Sequence, residues 1–224
     1  MYWLIKWLLL GPIVRWFARP TVFGELPDGP VVLAANHLTE IDSLVLCAAL
    51  PRRLTFVAKS EYFARGGAGG WLFGVLCRLT GQIPIGREGA SEAQAALDAA
   101  AGILRGGRVW VIYPEGTRSP DGRLYRGKTG AMRVALGEDC VVVPVGITGT
   151  RTVDSPGGRG WRRGRVEVHI GVPLDVAGWK SDARSPTVWR ESTDQLMAAI
   201  RELSGQRYVD RSPTVDERRR RDQR

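Results

Sequence analysis

Short apolar runs alternate along this chain with longer segments in which apolar residues have a helical spacing. The runs that predict strands lie at 30–37, 54–60, 81–87, 108–118 and 140–150, with an alternating one at 165–174. The segments that predict helices lie at 40–50, 69–81, 91–107, 127–138 and 186–205. The helix at 91–107 has the clearest ends, because Ser91 can cap its start and Gly106 and Gly107 can stop it. Strands that alternate with helices are typical of the α/β class, so we predict a mostly parallel central sheet flanked by helices.

Three of the predicted strands end in polar turns, at Asn36–His37, Gly86–Arg87 and Pro114–Glu115. In a parallel sheet the carboxyl ends of the strands lie along one edge, and ligands bind beyond that edge. We therefore expect these three turns to converge on one site.

The segment MYWLIKWLLLGPIVRWF at residues 1–17 is apolar, rich in tryptophan and interrupted by Lys6 and Arg15. Its apolar reach is below the roughly 20 residues that span a bilayer, and no small-residue cleavage site follows it. A spanning helix and a signal peptide are therefore not expected. Because tryptophans with flanking cations suit the headgroup boundary, we predict that residues 1–25 form a helical region lying in one membrane leaflet. The alternative is a helix packed on the protein's own core.

The composition is that of a globular protein, with 44% hydrophobic and 25% charged residues in a chain of 224. The net charge of +9 is concentrated in three basic segments, at 1–20, 151–165 and 207–224. Such segments suit an acidic partner, either anionic lipid or nucleic acid. No helix-turn-helix, stacking sheet or zinc motif accompanies them, so a nucleic-acid partner is not expected.

From residue 206 onward the sequence is polar and charge-rich, which predicts a disordered basic tail at 206–224 and one folded domain at 26–205. The three cysteines are odd in number and have no metal-like spacing, which indicates reduced thiols in a cytosolic setting. With only two histidines in the chain, no metal site is expected.

His37 and Asp42 stand five residues apart where a predicted strand gives way to a helix, in LAANHLTEID. Across such a junction, an aspartate can bind one imidazole nitrogen and leave the other free to take a proton from a hydroxyl. The pattern equally fits a buried histidine beside an aspartate that caps the helix. The spacing alone leaves both interpretations open.

A second polar cluster, YPEGTRS at 113–119, places a carboxylate, a hydroxyl and a guanidinium on one turn, from Glu115, Thr117 and Arg118. Gly116 lets the backbone approach a ligand closely, and an arginine suits bidentate binding of phosphate. The simpler alternative is a β-turn with a local Glu–Arg pair.

Two further cations are candidates for the same anion. Lys128 opens a predicted helix, where backbone N–H groups also favour phosphate, and Arg87 follows a predicted strand. Taken singly, Arg87 fits an exposed surface arginine equally well.

Together these blocks resemble the glycerolipid acyltransferases, the 1-acylglycerol-3-phosphate acyltransferase family. NHLTEID is similar to that family's N-H-x4-D motif, and YPEGTRS to its Glu-Gly-Thr-Arg block. GQIPIGR (81–87) falls where the arginine-bearing second block is expected, and VVPVGI (142–147) resembles the fourth. The match spans about residues 31–150. One departure is Gly86, where the family often has an acidic residue, and it leaves the identity of the acceptor open.

The resemblance implies transfer of a fatty acyl group from acyl-CoA or acyl carrier protein to a hydroxyl of a lysophosphatidate-like glycerophospholipid, yielding phosphatidic acid. It implies that His37 is the general base and that Asp42 orients it. The residues implied for the acceptor's phosphate and glycerol site are Arg87, Glu115, Gly116, Thr117, Arg118 and Lys128. The acyl donor is a substrate and no cofactor is implied. A membrane lipid as acceptor implies a peripheral or monotopic enzyme at the cytoplasmic face of the cell membrane.

Three alternatives stay open on the sequence. The His–Asp pair would also serve a hydrolase of lipids or acyl thioesters, with water in place of the acceptor hydroxyl. An acyltransferase for a different lysolipid has the same motifs. A non-catalytic lipid-binding protein would explain the basic segments and would give the His–Asp pair no catalytic role.

Overall fold

The computed structural model describes residues 2–59, 82–85, 90–155 and 160–217 of the chain. Its main strands are β1 (Pro20–Phe23), β2 (Val31–Ala35), β3 (Leu54–Lys59), β4 (Ile83–Ile85), β5 (Val109–Ile112), β7 (Val141–Thr148) and β8 (Val166–Ile170). Two shorter strands, β6 (Leu124–Tyr125) and β9 (Tyr208–Val209), pair with each other in parallel.

The described helices alternate with these strands. The N-terminal helix α1 runs consecutively through Tyr2–Leu4, a π-helical Ile5–Leu10 and Gly11–Ala18. The others are α2 (Asp42–Ala49), α3 (Ala90–Arg105), α4 (Gly130–Ala135), α5 (Thr150–Val153), α6 (Ala177–Lys180) and α7 (Pro186–Ser204).

The main strands form one sheet in the order β1-β8-β7-β2-β5-β3-β4. Neighbouring strands from β7 to β4 are parallel, which confirms the predicted mostly parallel sheet flanked by helices. β8 is antiparallel to β7, and β1 is parallel to β8. The described residues between β7 and β8 contain the short helix α5 alone, and the chain returns beside β7 as its antiparallel neighbour.

The central strand β2 divides the core into two layers. All five of its residues are buried, and they alternate between the two layers. Val31, Leu33 and Ala35 pack with residues of α1 and α2, whereas Val32 and Ala34 pack with residues of α3, α4 and α7. A strand that is covered on both faces has a continuous apolar sequence, and this feature makes β2 recognisable in the sequence.

Helix α1 has one face on the core and one face exposed. Every fourth residue is buried, in the series Tyr2, Lys6, Leu10, Val14 and Ala18. The exposed large apolar residues of the helix are Trp3, Leu4, Trp7, Leu8, Ile13 and Trp16. The interpretation as a helix packed on the core holds for one face, whereas membrane contact through the exposed face stays a prediction. The helix ends at Ala18, short of the predicted residue 25, because Pro20–Phe23 form β1. No helix in the described ranges is long and apolar enough to cross a membrane.

The structure corrects the predicted disorder over residues 206–217. Helix α7 ends at Ser204, the left-handed Gly205 that follows has a φ of 65°, and β9 then pairs with β6. The chain is ordered here because its backbone finds partners far away in the sequence, which local composition does not reveal. Residues 218–224 lie outside the described residues.

Helix α3 also differs in detail from the prediction. It begins at Ala90, so Ser91 lies inside the first turn instead of preceding it. The helix predicted at 69–81 lies outside the described residues, as does Arg87.

Candidate active site

The turns that follow β2, β5 and β7 meet at one edge of the sheet. Ala34 pairs with Ile112 of β5, and Ala35 pairs with Val145 of β7, so the chain leaves these parallel strands side by side. The segments beginning at Asn36 and at Tyr113 are therefore neighbours in space although they are far apart in sequence.

His37 and Asp42 form a hydrogen-bonded pair in the turn between β2 and α2. The imidazole Nδ1 lies 2.8 Å from Asp42 Oδ2. The Asp42 side chain is fully buried, whereas the His37 side chain is 18% exposed. A carboxylate can only accept, so Nδ1 carries the proton and Nε2 is left as the basic nitrogen. Within the described ranges, no hydrogen bond to Nε2 is formed.

The same carboxylate also shapes the turn that carries the histidine. Asp42 Oδ2 accepts the backbone N–H groups of Leu38 at 2.6 Å and Thr39 at 2.8 Å. Asp42 is also the first residue of α2. The N–H groups that it accepts precede the helix, so the helix-capping interpretation does not hold, and the side chain instead holds the turn and the imidazole together.

Tyr113 supports the imidazole from the side. The two rings are stacked, with centroids 3.9 Å apart and planes inclined by 10°. The Tyr113 hydroxyl lies 2.8 Å from Ser43 Oγ, which fixes the phenol ring against α2. Burial raises the pKa of Tyr113 well above its ordinary value, so the ring is neutral. Sequence reasoning missed this residue, because an aromatic residue at the end of a strand is usually part of the core.

Glu115 is buried beneath the turn, with 3% of its surface exposed. Its Oε1 accepts the backbone N–H of His37 at 3.1 Å, and its Oε2 accepts that of Tyr125 at 2.9 Å. Burial raises the pKa of Glu115 to about 8, although these two backbone donors act in the opposite direction. The predicted site residue therefore links the main chain at the histidine to the main chain of β6.

Gly116 and Lys128 lie in direct contact beyond Glu115. Gly116 has a φ of 70°, and a Cβ there would come within 2.9 Å of Lys128 Cε. The Lys128 backbone N–H donates to Pro114 O at 2.8 Å, which holds the lysine beside the turn. Both residues are exposed at the surface. The exposed ammonium and the bare backbone of a glycine offer an approachable cationic surface.

Arg118 and Thr117 complete the turn and are both half-buried. Arg118 Nη1 lies 3.2 Å from Glu40 Oε1 in the turn before α2. An incoming phosphate would compete with Glu40 for the guanidinium, since arginine binds both kinds of oxyanion.

Asn36 anchors the start of the histidine turn and was not assigned a role by sequence reasoning. It is fully buried, its Oδ1 accepts the Ile147 N–H at 2.7 Å, and its Nδ2 donates to Ile147 O at 2.9 Å. Ile147 ends the VVPVGI block, so the first and fourth blocks are joined by this amide. The signal was present in the sequence only as an asparagine directly after an apolar strand.

The arrangement brings together an imidazole, a buried carboxylate bonded to it and a neighbouring cationic turn. A histidine with one nitrogen held by a carboxylate can accept a proton from a hydroxyl through the other nitrogen. Groups of three or more histidine, cysteine or acidic residues that could hold a metal ion do not occur among the described residues.

Comparison with known proteins identifies the family of the chain. The family model described as Acyltransferase matches residues 12–148. The chain is 29% identical over 180 residues to the bovine 1-acyl-sn-glycerol-3-phosphate acyltransferase alpha, covering 80% of this chain and 60% of the relative. It is 26% identical over 188 residues to the 1-acyl-sn-glycerol-3-phosphate acyltransferase of Haemophilus influenzae, covering 77% of this chain and 74% of the relative.

The fold is also similar to that of a solved structure. The 1-acyl-sn-glycerophosphate acyltransferase PlsC from Thermotoga maritima superposes with a TM-score of 0.61 at 23% identity, covering 88% of this chain and 79% of that one. The chain spans about three fifths of the length of the mammalian relatives it matches, with 60% covered in the bovine and ovine proteins. This chain therefore belongs to the acyltransferase family, and the resemblance of its sequence to the 1-acylglycerol-3-phosphate acyltransferases is confirmed.

Proposed function

We propose that this chain transfers a fatty acyl group from a thioester, acyl-CoA or acyl carrier protein, to the free hydroxyl of a lysophosphatidate-like acceptor, yielding phosphatidic acid. The observation that carries the proposal is the hydrogen-bonded His37–Asp42 pair. Buried Glu115 accepts the His37 N–H and lies in the turn that bears Arg118, so the pair and this turn are held together. The names of the relatives support the choice of acceptor.

In the proposed reaction, His37 Nε2 takes the proton of the acceptor hydroxyl as its oxygen attacks the thioester carbonyl. Asp42 stabilises the imidazolium that forms, because its carboxylate accepts from Nδ1. As the tetrahedral intermediate collapses, the C–S bond breaks and the imidazolium returns its proton to the leaving thiolate. An ester and a thiol result, and the base is regenerated.

The acceptor is anchored through its phosphate in this proposal. Arg118 and Lys128 supply the positive charge, while Gly116 and Thr117 let the glycerol backbone approach the turn. Glu115 contributes by holding the main chain at His37 and at Tyr125, whose N–H groups it accepts. Arg87 is expected to give a second guanidinium to the same phosphate.

The exposed face of α1 supports a contact with the membrane in which such acceptors reside. Its tryptophans are accompanied by cations, with the Arg15 guanidinium 4.9 Å from the Trp7 ring and that of Arg163 3.6 Å from the Trp16 ring. Apolar rings beside cations suit the headgroup boundary of a leaflet that contains anionic lipid. We place the enzyme at the cytoplasmic face of the cell membrane, as a peripheral or monotopic protein.

Release of thiol from acyl-CoA by the purified protein, with and without lysophosphatidate, tests the proposal and separates it from hydrolysis. A panel of acceptors that includes glycerol 3-phosphate and neutral lysolipids identifies the preferred hydroxyl. We expect thiol release to depend on lysophosphatidate and phosphatidic acid to form in equal amount. Release at the full rate without acceptor would identify a thioesterase instead, and transfer to another lysolipid alone would correct the acceptor.

A further inference from the structure

We infer that Gln206 is a positioning residue for this acyl transfer. Its side chain fixes the turn at 115–126 relative to the strand end that carries His37. The inference rests on the proposed function, and Gln206 lies in the segment that the sequence predicts to be disordered. We call residues 206–217 the C-terminal strap.

The side-chain amide of Gln206 connects two parts of the site. Its Oε1 accepts the Nδ2–H of Asn36 at 2.7 Å, and its Nε2 donates to Gly122 O at 2.7 Å. Asn36 directly precedes His37, and Gly122 lies in the loop that follows Arg118. One amide therefore spans the distance between the base and the loop of the cationic turn.

Pairing of the main chain continues this connection. After Gln206, the Arg207 carbonyl accepts the N–H of Leu124 at 3.0 Å, and the Val209 carbonyl accepts that of Arg126 at 3.1 Å. Between these two bonds lies Tyr125, whose N–H is one of the two donors to Glu115. The strap thus holds the backbone from which Glu115 receives its hydrogen bond.

Charged groups are hydrogen-bonded to one another near the C-terminal end of the strap. The Arg211 guanidinium donates two hydrogen bonds of 2.8 Å to the Glu217 carboxylate, which also accepts the Thr214 N–H at 2.7 Å. These bonds, those to Arg211 foremost, lower the pKa of Glu217, so this carboxylate is ionised at neutral pH. Arg123 Nη2, from the loop at the site, lies 3.7 Å from the same carboxylate.

The chemistry of the position calls for an amide. Gln206 accepts from one partner and donates to the other, which neither a carboxylate nor a thioether can do. A glutamate would keep the bond from Asn36 and place its second oxygen against the Gly122 carbonyl. A methionine has the same length and makes neither bond.

Steady-state kinetics of Gln206→Met, with Glu202→Met as the matched control, test the inference. Glu202 is exposed and lies four residues earlier, on α7. Loss of two hydrogen bonds that fix the reacting geometry is expected to lower kcat/KM for the acceptor by about tenfold or more. The KM for the acyl donor is expected to stay within about twofold of wild type, and Glu202→Met is expected to behave as wild type.

Hydrogen exchange of the amides in 119–126 gives a readout that does not depend on the acceptor. We expect faster exchange in Gln206→Met and in Gln206→Glu, and no change in Glu202→Met. If Gln206→Met does not fold, Gln206→Glu carries both measurements. Unchanged exchange in 119–126, or a fall in kcat alone that matches the fraction of unfolded protein, would overturn the positioning role. If the wild type uses another acceptor, the proposed function fails, and the same comparison with that acceptor still decides the role of Gln206.

Discussion

Glu115 is the residue whose protonation most directly links the site to the stability of the fold. Its pKa is raised from 4.5 to about 8 by burial. Between those values the folded chain holds a proton that the unfolded chain has released, so the free energy of unfolding falls as the pH rises through this window. Glutamine has no such proton, and its NH₂ group cannot accept the backbone N–H that Oε1 or Oε2 accepts.

We therefore predict that Glu115→Gln is less stable than wild type by about 1–3 kcal/mol at pH 5, and that the difference narrows toward pH 8. Urea unfolding followed by tryptophan fluorescence at several pH values measures it. Glu202→Gln, an exposed substitution, serves as the control and is expected to show a difference near zero at every pH. A difference between wild type and Glu115→Gln that does not change with pH would contradict the assigned protonation.

At the scale of single residues, the groups proposed to react are easier to identify in the sequence than the groups that hold them in place. His37 and Asp42 are recognisable because the pair is local and the other blocks accompany it. Tyr113 and Asn36 are not, because their partners are distant: Tyr113 bonds to Ser43 across 70 positions, and Asn36 to Ile147 across 111. Such contacts exist only once the parallel strands are side by side.

At the scale of elements, strands and helices with a strong apolar pattern are predictable, and short or edge elements are not. β2 and β7 are apolar runs buried in the centre of the sheet, and both were located from sequence. β1 is four residues long and mostly exposed, so its pattern is too weak to recognise. The direction of β8 depends on which edge the preceding loop returns from, and residue patterns do not encode that.

The C-terminal strap is a second element whose structure the local sequence does not predict. Its composition resembles that of a disordered tail, yet β9 pairs with β6 and Gln206 enters the site. Its order comes from hydrogen bonds with a segment about 80 residues earlier, such as the 84 positions between Gln206 and Gly122. A polar composition predicts disorder correctly only where no distant segment offers the chain backbone hydrogen bonds.

At the scale of the whole molecule, two of the three basic segments lie on one side. The Gly164 N–H donates to Phe17 O at 2.8 Å, which places the residues around Gly164 against the end of α1. Val14 and Ala18 of α1 line a small apolar cavity with Ile41, directly before Asp42. The core-facing side of α1, the described part of the 151–165 segment and the turn before Asp42 therefore lie close together.

This arrangement predicts that the double substitution Leu8→Ser, Trp16→Ser weakens binding to vesicles that contain anionic phospholipid. Both side chains are exposed, at 71% and 60%, and their burial in lipid contributes about 1.5–3 kcal/mol each, so we expect at least a tenfold loss of affinity. Vesicle co-sedimentation measures it. Val172→Ser is the matched control, because Val172 is 84% exposed and lies after β8, outside α1. Equal binding by the double variant and the control would reject α1 as the membrane contact.

The central claim is that His37 takes the proton from the acceptor hydroxyl. Its most direct test is the rate of acyl transfer to lysophosphatidate by His37→Ala, purified and shown by circular dichroism and thermal unfolding to be folded like wild type. Loss of a general base predicts a rate lower by about 10²–10⁴-fold. A folded His37→Ala variant that transfers the acyl group at the wild-type rate would contradict the account.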